Sequence, residues 1–249
     1  MPSAESDRIS IQSWTFRTYK KNEEVISAAK KCGASNIEIA YLHVKVGDPA
    51  DCAKVIDLYK KRGIGLSSYG VCGIGSDEAK AAAAFEFARA AGLSTIVASL
   101  QPGGLEVAER LCEKYGKRIA LHNHGRKDPG GSVWYLEDVF RRSSPNVGLC
   151  LDTAWMMDSG EDPVAVARKF AGRLYALHVK DFVFDRAGRG EDVVVGKGNL
   201  DLAGLIKFCR EMGYGGYFTI EYEGDKDEPV PNTKRCVQAI RSAFKDAEK

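Results

Sequence analysis

The sequence predicts an α/β fold, a single (β/α)8 barrel over residues 1–249, and three observations carry that expectation. Short apolar runs alternate with amphipathic or alanine-rich stretches at a period of roughly 25 to 30 residues, the length of one strand and its helix. The last four runs each carry a potential metal-binding side chain near the C-terminal end: His122 in RIALHNHG, Asp152 in VGLCLDTAW, His178 in LYALHVKDF and Glu221 in GYFTIEYEG. In a closed barrel those ends open into one mouth, where groups distant in sequence can meet. An open doubly wound sheet favours a glycine-rich phosphate loop after the first strand instead, and ISIQSWTFRTYKKNEE contains no G-x-G-x-x-G.

In chain order the expected strands are RISIQSW, NIEIAYL, IGLSSYG, STIVASL, RIALHNH, VGLCLDT, LYALHVK and YFTIEYE. Between them NEEVISAAKKCG, DCAKVIDLYKKRG, DEAKAAAAFEFARAAG, GLEVAERLCEKYG, VWYLEDVFRRS, DPVAVARKFAG and DLAGLIKFCREMG read as helices. Several of these end at a glycine after a basic last turn, as expected where a left-handed cap stops a helix and Lys or Arg offsets its dipole. The unit between His178 and Glu221 is longer by FVFDRAGRGEDVVVGKGNLD. Its glycines and charges suit a mobile loop at the mouth, with Arg186, Arg189 and Lys197 able to meet an anionic group; the alternative is a solvated loop with no ligand. GKGNLD leads into a helix with Asn199 or Asp201 near the cap, and it is not a Walker loop.

With 249 residues, 44% hydrophobic and 28% charged, the chain is long enough to bury a large core. A formal charge of +2, from 36 basic and 34 acidic residues, offers no extended field for nucleic acid or an anionic membrane. Seven cysteines are scattered without a Cys-x-x-Cys pair, which argues against a thiolate zinc site or a disulfide framework and for a reducing compartment. No apolar run reaches the length of a membrane helix and MPSAESDR lacks a signal-peptide core, so a cytoplasmic location is expected.

A single buried His or Asp at a strand end is often no more than a satisfied hydrogen-bonding group, whereas four at equivalent points suggest convergence on one ion or substrate. His124 follows His122 by two residues and shares its strand face, so spacing alone does not decide which imidazole binds metal. Lys180 shares the inward face with His178 and could hold a substrate oxygen or phosphate, or form a salt bridge in the barrel; Asp181 is expected to orient a neighbour. Glu38 could hydrogen-bond sugar hydroxyls or partner a cation on the barrel floor. Trp14, Tyr69 and Trp155 could wall a sugar ring or be ordinary core. Glu223 could contact a substrate hydroxyl or be a solvated rim carboxylate, and His43 is expected on a loop surface.

The order and spacing of ISIQSWTFR, NIEIA, LHNHG, LDTAW followed by DPVAVARKFAGRL, ALHVKD, GKGNLD and YFTIEYEGD resemble the sugar isomerase/epimerase superfamily with the xylose isomerase-like TIM barrel, which also contains endonuclease IV-type nucleases. The resemblance covers nearly the whole chain. It implies one divalent ion held at the ends of barrel strands five to eight, at positions matching His122, Asp152, His178 and Glu221. Many members place a glutamate where this chain has His122, which puts a symmetric two-glutamate mechanism in doubt and favours His122 over His124 as the ligand. The His-Asn-His version resembles a subgroup that includes inosose dehydratases and enzymes acting on 3-keto-sugars.

The implied chemistry is removal of a proton next to a carbonyl, with the ion stabilising an enediolate, Glu221 as a ligand that also moves a proton, His124 as a second acid/base and Lys180 assisting. Isomerisation or epimerisation of a sugar, keto-sugar or sugar phosphate is the leading expectation, and a dehydratase or lyase on inosose or 3-keto-sugars is the close alternative. A nuclease fits less well, because that chemistry uses several metals and more His and Glu ligands than this chain's four histidines supply. A sugar-binding barrel without catalysis predicts an incomplete metal site. Mn²⁺, Mg²⁺, Co²⁺ and Zn²⁺ all suit mixed imidazole and carboxylate ligands. The expected partner is a small carbohydrate, with no nucleic acid and no membrane; whether the chain forms a homo-oligomer is left open.

Overall fold

The protein is described by a computed structural model that covers residues 8–247. Eight parallel strands, β1 (Ile9–Gln12), β2 (Asn36–Ile39), β3 (Gly65–Ile74), β4 (Thr95–Leu100), β5 (Arg118–His122), β6 (Val147–Asp152), β7 (Leu174–Val179) and, after a two-stranded insertion, β10 (Phe218–Ile220), close into a barrel in which β10 pairs with both β7 and β1. The expected (β/α)8 barrel is therefore present.

The helices between the strands follow the expected pattern. They are α1 (Asn22–Cys32), α2 (Pro49–Lys61), α3 (Glu78–Ala90), α4 (Gly104–Tyr115), α5 (Val133–Arg142), α7 (Pro163–Lys169) and α8 (Leu202–Glu211). Gly33 (φ 85°) and Gly116 (φ 60°) supply left-handed caps to α1 and α4, where a basic last turn had suggested helix ends. Asp201 caps α8 by accepting the Gly204 amide at 2.9 Å. Two helices go beyond the sequence reading: the short α6 (Thr153–Asp158), which begins inside LDTAW, and α9 (Val230–Asp246), which packs on α1 and closes the outer ring.

Side-chain parity along the strands decides what faces the mouth. Ile119, Leu121, Leu149, Leu151, Leu177 and Val179 belong to the large buried core beneath the helices. Their alternates Ala120, Cys150 and Ala176 form a separate small cluster with Val97. His122, Asp152 and His178 have the same parity as those small residues, one step further toward the C-terminal ends, and so stand above the barrel interior.

Three expectations need correction. β5 ends at His122, so His124 lies in the following loop rather than on the strand. His43 is buried, with Nδ1 2.9 Å from Ser13 Oγ and Nε2 3.3 Å from the Tyr19 carbonyl, because the loop after β2 folds over the first strand's end. The long unit after β7 is an antiparallel hairpin, β8 (Asp181–Phe184) and β9 (Gly190–Val193), followed by a turn tied down by Asp181. That buried carboxylate accepts the amides of Gly196, Gly198 and Leu200, each at 2.9 Å. Among the described residues, no helix is long and apolar enough to cross a membrane.

Candidate metal centre

His122, Asp152, His178 and Glu221 are all buried and each offers a ligand atom within 4.8 Å of the others. Local structure aims each one. Asp152 ends β6 and caps α6: one oxygen accepts the Trp155 amide at 2.9 Å, while Oδ2 stands 3.6 Å from His122 Nε2. Asn123 clamps the same residue, donating to the Asp152 carbonyl at 2.9 Å and accepting its amide at 2.8 Å. His178 Nε2 lies 2.8 Å from Glu38 Oε1, which turns that nitrogen away from the cluster and aims Nδ1 into it, 3.4 Å from Glu221 Oε2. Glu221 directly follows β10, and its Oε2 is also 3.7 Å from His122 Nε2.

Several of these atoms lack partners. Both ring nitrogens of His122, Asp152 Oδ2 and His178 Nδ1 are buried without a hydrogen bond. An unsatisfied buried polar atom costs about 1–3 kcal/mol, so a concentration of them facing one point is unfavourable unless something else engages them. Two imidazole nitrogens and two carboxylate oxygens suit a divalent ion of borderline to hard character. The residues therefore fit such an ion.

The surrounding charges are consistent with that role. Burial alone raises the Glu221 carboxyl, but Lys180 and His178 outweigh it and hold Glu221 ionised, well below the usual carboxylate range. Burial depresses His122, yet Asp152 and Glu221 bring it above an ordinary histidine. His124 moves the other way, lowered by burial and then by His122 beside it, their ring centroids 4.5 Å apart. Burial also works against the Lys180 charge, but Glu221, Asp152, Glu223 and Asp192 keep the amine protonated.

The cluster opens to a cleft of about 370 Å³ whose wall includes Trp14, Tyr41, His124, Trp155, Glu221 and Glu223. Trp14 Nε1 donates to Glu223 Oε1 at 2.6 Å, so Glu223 is a held wall residue and not a free rim carboxylate. Lys180 is buried behind this wall, donating to Glu223 and lying 3.8 Å from Glu221 and 3.6 Å from Asp192. Glu38 is fully buried and accepts from Gln12, Ser68 and His178, which removes it from the hydroxyl-binding position considered for it. Tyr69 packs edge-on against Phe87 in the core, away from the cleft. Arg186 is exposed in the hairpin turn and does not line the cleft.

Two residues near the site escaped sequence reading. Asn123 was visible only as the middle of His-Asn-His, and its clamp needs β6 beside it. Asp192 comes from β9, where it accepts the Glu223 amide at 3.0 Å through Oδ2 and leaves a buried Oδ1 without a partner. Burial, only partly offset by Lys180, pushes its carboxyl up to about 7. No sequence signal marks it, because the hairpin's path over the mouth is a tertiary fact.

Residues 26–243 match the family described as Xylose isomerase-like TIM barrel. A rhizopine catabolism protein, MocC, of Rhizobium meliloti is 32% identical over 145 residues, 51% of this chain and 43% of that protein. An inosose dehydratase of Clostridium beijerinckii is 29% identical over 161 residues, 57% of this chain and 52% of the relative. The chain thus spans about half the length of the curated relatives it matches. Among solved structures, a sugar phosphate isomerase/epimerase from Parabacteroides distasonis superposes with a TM-score of 0.75 at 18% identity, covering 98% of this chain and 97% of that one, a likeness of fold.

Proposed function

Because the chain belongs to the xylose isomerase-like TIM barrel family, we propose that it is a divalent-metal-dependent carbon–oxygen lyase of the dehydratase type, acting on a keto-polyol or keto-sugar. The observation that carries this reading is the makeup of the cleft: both carboxylates lining it, Glu221 and Glu223, come from one strand end, and an imidazole stands free beside the four-residue cage. Epimerisation through two opposed glutamates needs a carboxylate at the position that His122 occupies. The inosose dehydratases among the relatives point the same way.

A divalent ion in the cage supplies Lewis-acid polarisation of a substrate carbonyl. His124 is the group left to carry a proton: His122 and Glu221 belong to the cage, and Glu223 is engaged by Trp14 and Lys180. The imidazole takes the proton from the carbon next to the carbonyl, and that electron pair forms a carbon–carbon double bond. The bond to the β-oxygen breaks, its electron pair leaves on oxygen, and His124 returns the proton there, so that water and an enone result. Lys180 keeps Glu221 ionised from behind, and Glu38 holds the His178 ring in the orientation that presents Nδ1 to the cage.

Incubation of the Mn²⁺-supplemented protein with inosose and keto-sugars in D₂O tests this reading. Appearance of a conjugated enone with loss of water is the expected result. Deuterium incorporation with no loss of water would instead place the chain among isomerases or epimerases.

A further inference from the structure

A positive charge belonging to the chain itself lies against the cage. Lys180, the residue after β7, is 1% exposed, and its ammonium is gathered among three carboxylates. It donates to Glu223 Oε2 and lies 3.6 Å from Asp192 Oδ2 and 3.8 Å from Glu221 Oε2, so it neutralises the last two without hydrogen bonding to them. Glu221 Oε2 faces both ways: the same oxygen is 3.4 Å from His178 Nδ1 and 3.7 Å from His122 Nε2. That is the place a bridging carboxylate holds in a two-ion centre. The Asp192 side chain is only 9% exposed, yet its Oδ1 is buried with no partner. The pocket therefore offers more oxygen acceptors than one ammonium engages.

We infer that Lys180 is a built-in substitute for a second metal ion: its ammonium fills a cation position formed by Glu221, Glu223 and Asp192 and so holds the centre to a single divalent ion. The inference rests on the cage being a metal site and adds what limits its stoichiometry. Electrostatics supplies the reason. Three carboxylates drawn together out of water repel one another and demand a counter-charge. A divalent ion meets that demand with oxygen ligands, and an ammonium tethered to the fold meets it at every metal concentration. The surroundings suit the ammonium, because the Trp155 and Phe182 ring centroids lie 5.3 and 5.8 Å from the Lys180 nitrogen. The choice of cation decides the chemistry. Two ions stabilise two reacting oxygens at once, whereas an ammonium has no coordination position to offer and leaves one ion to polarise one oxygen. Pairing with Lys180 through Oε2 also leaves Glu223 Oε1 to Trp14 on the cleft wall.

Titration of the protein with Mn²⁺, followed by calorimetry and low-temperature electron paramagnetic resonance, tests this without any substrate. The unsubstituted chain is expected to take up one Mn²⁺ and to give the spectrum of an isolated ion. Lys180→Ala is expected to take up two, with the exchange coupling of a pair that shares a carboxylate. Lys180→Gln keeps a donor for Glu223 but no charge; it is expected to behave alike and keeps the test decisive if alanine disturbs the fold. Adding Asp192→Asn to either variant should return the stoichiometry to one, since Asp192 belongs to the second position and not to the cage. A folded neutral variant that still takes up a single ion would overturn the inference and leave the cage standing. Two ions in the unsubstituted chain, or a second ion that survives Asp192→Asn, would equally overturn it. Uptake of no Mn²⁺ by the unsubstituted chain would overturn the cage, and the role of Lys180 with it.

Discussion

Glu38 and His178 lie 140 positions apart in sequence and are joined through Glu38 Oε1 and His178 Nε2 at 2.8 Å, beneath the cage and out of reach of solvent. The bond sets which nitrogen of His178 faces Glu221 and so sets the donor set available to an ion.

Glu38→Gln is accordingly expected to weaken Mn²⁺ binding by about 10- to 100-fold, the usual effect of losing a group that orients a ligand, with the fold retained. Titration calorimetry measures it. Unchanged affinity would show that His178 is held by its packing alone.

The two imidazoles of His-Asn-His should separate in their phenotypes. His122→Ala is expected to lose metal affinity, whereas His124→Asn should retain it and lose about 10²- to 10⁴-fold in turnover of the identified substrate. Metal titration alongside rate measurement distinguishes them, and the opposite pattern would exchange their roles.

Metal removal should appear in stability. An ion at 100 times its dissociation constant stabilises the fold by about 2.7 kcal/mol, which for a chain of this size corresponds to a rise of roughly 5–10 °C in Tm. A chelator should reverse the rise, and Asp152→Asn should largely remove it. Scanning calorimetry with and without Mn²⁺ is the check.

Asn123→Ala leaves the buried Asp152 amide and carbonyl without their side-chain partners. At about 1–3 kcal/mol for each unsatisfied group, the expected loss is at least about 2 kcal/mol, read from urea unfolding. Metal affinity should fall with it, because Asp152 loses its clamp.

Asp192 gives a pH dependence of defined sign. Its carboxyl is raised from 3.8 to about 7, first by burial, so between those values the native chain holds a proton that the unfolded chain has lost. The native state is therefore relatively favoured at the acidic end of this window, and the advantage disappears as pH rises through about 7. Asp192→Asn should remove that component of the slope. Urea midpoints of the metal-free protein at several pH values between 4 and 7 measure the difference.

The sequence by itself determined the repeat of strand and helix, the parity that places His122, Asp152 and His178 above small interior residues, and the helix ends at Gly33 and Gly116. These are local properties: alternation of period two, and backbone preferences within a single turn. Only the tertiary structure decided that Glu38 belongs beneath His178 and not against a substrate, that Lys180 sits behind the cleft wall, and that His43 is buried. The same holds for Asn123 as the clamp on Asp152, and for Asp192 reaching Glu223 from a hairpin that read as an open loop. Each of these relationships is a contact between elements far apart in the chain, and no periodicity records which strand a closing barrel sets beside which, or where an inserted hairpin comes to rest.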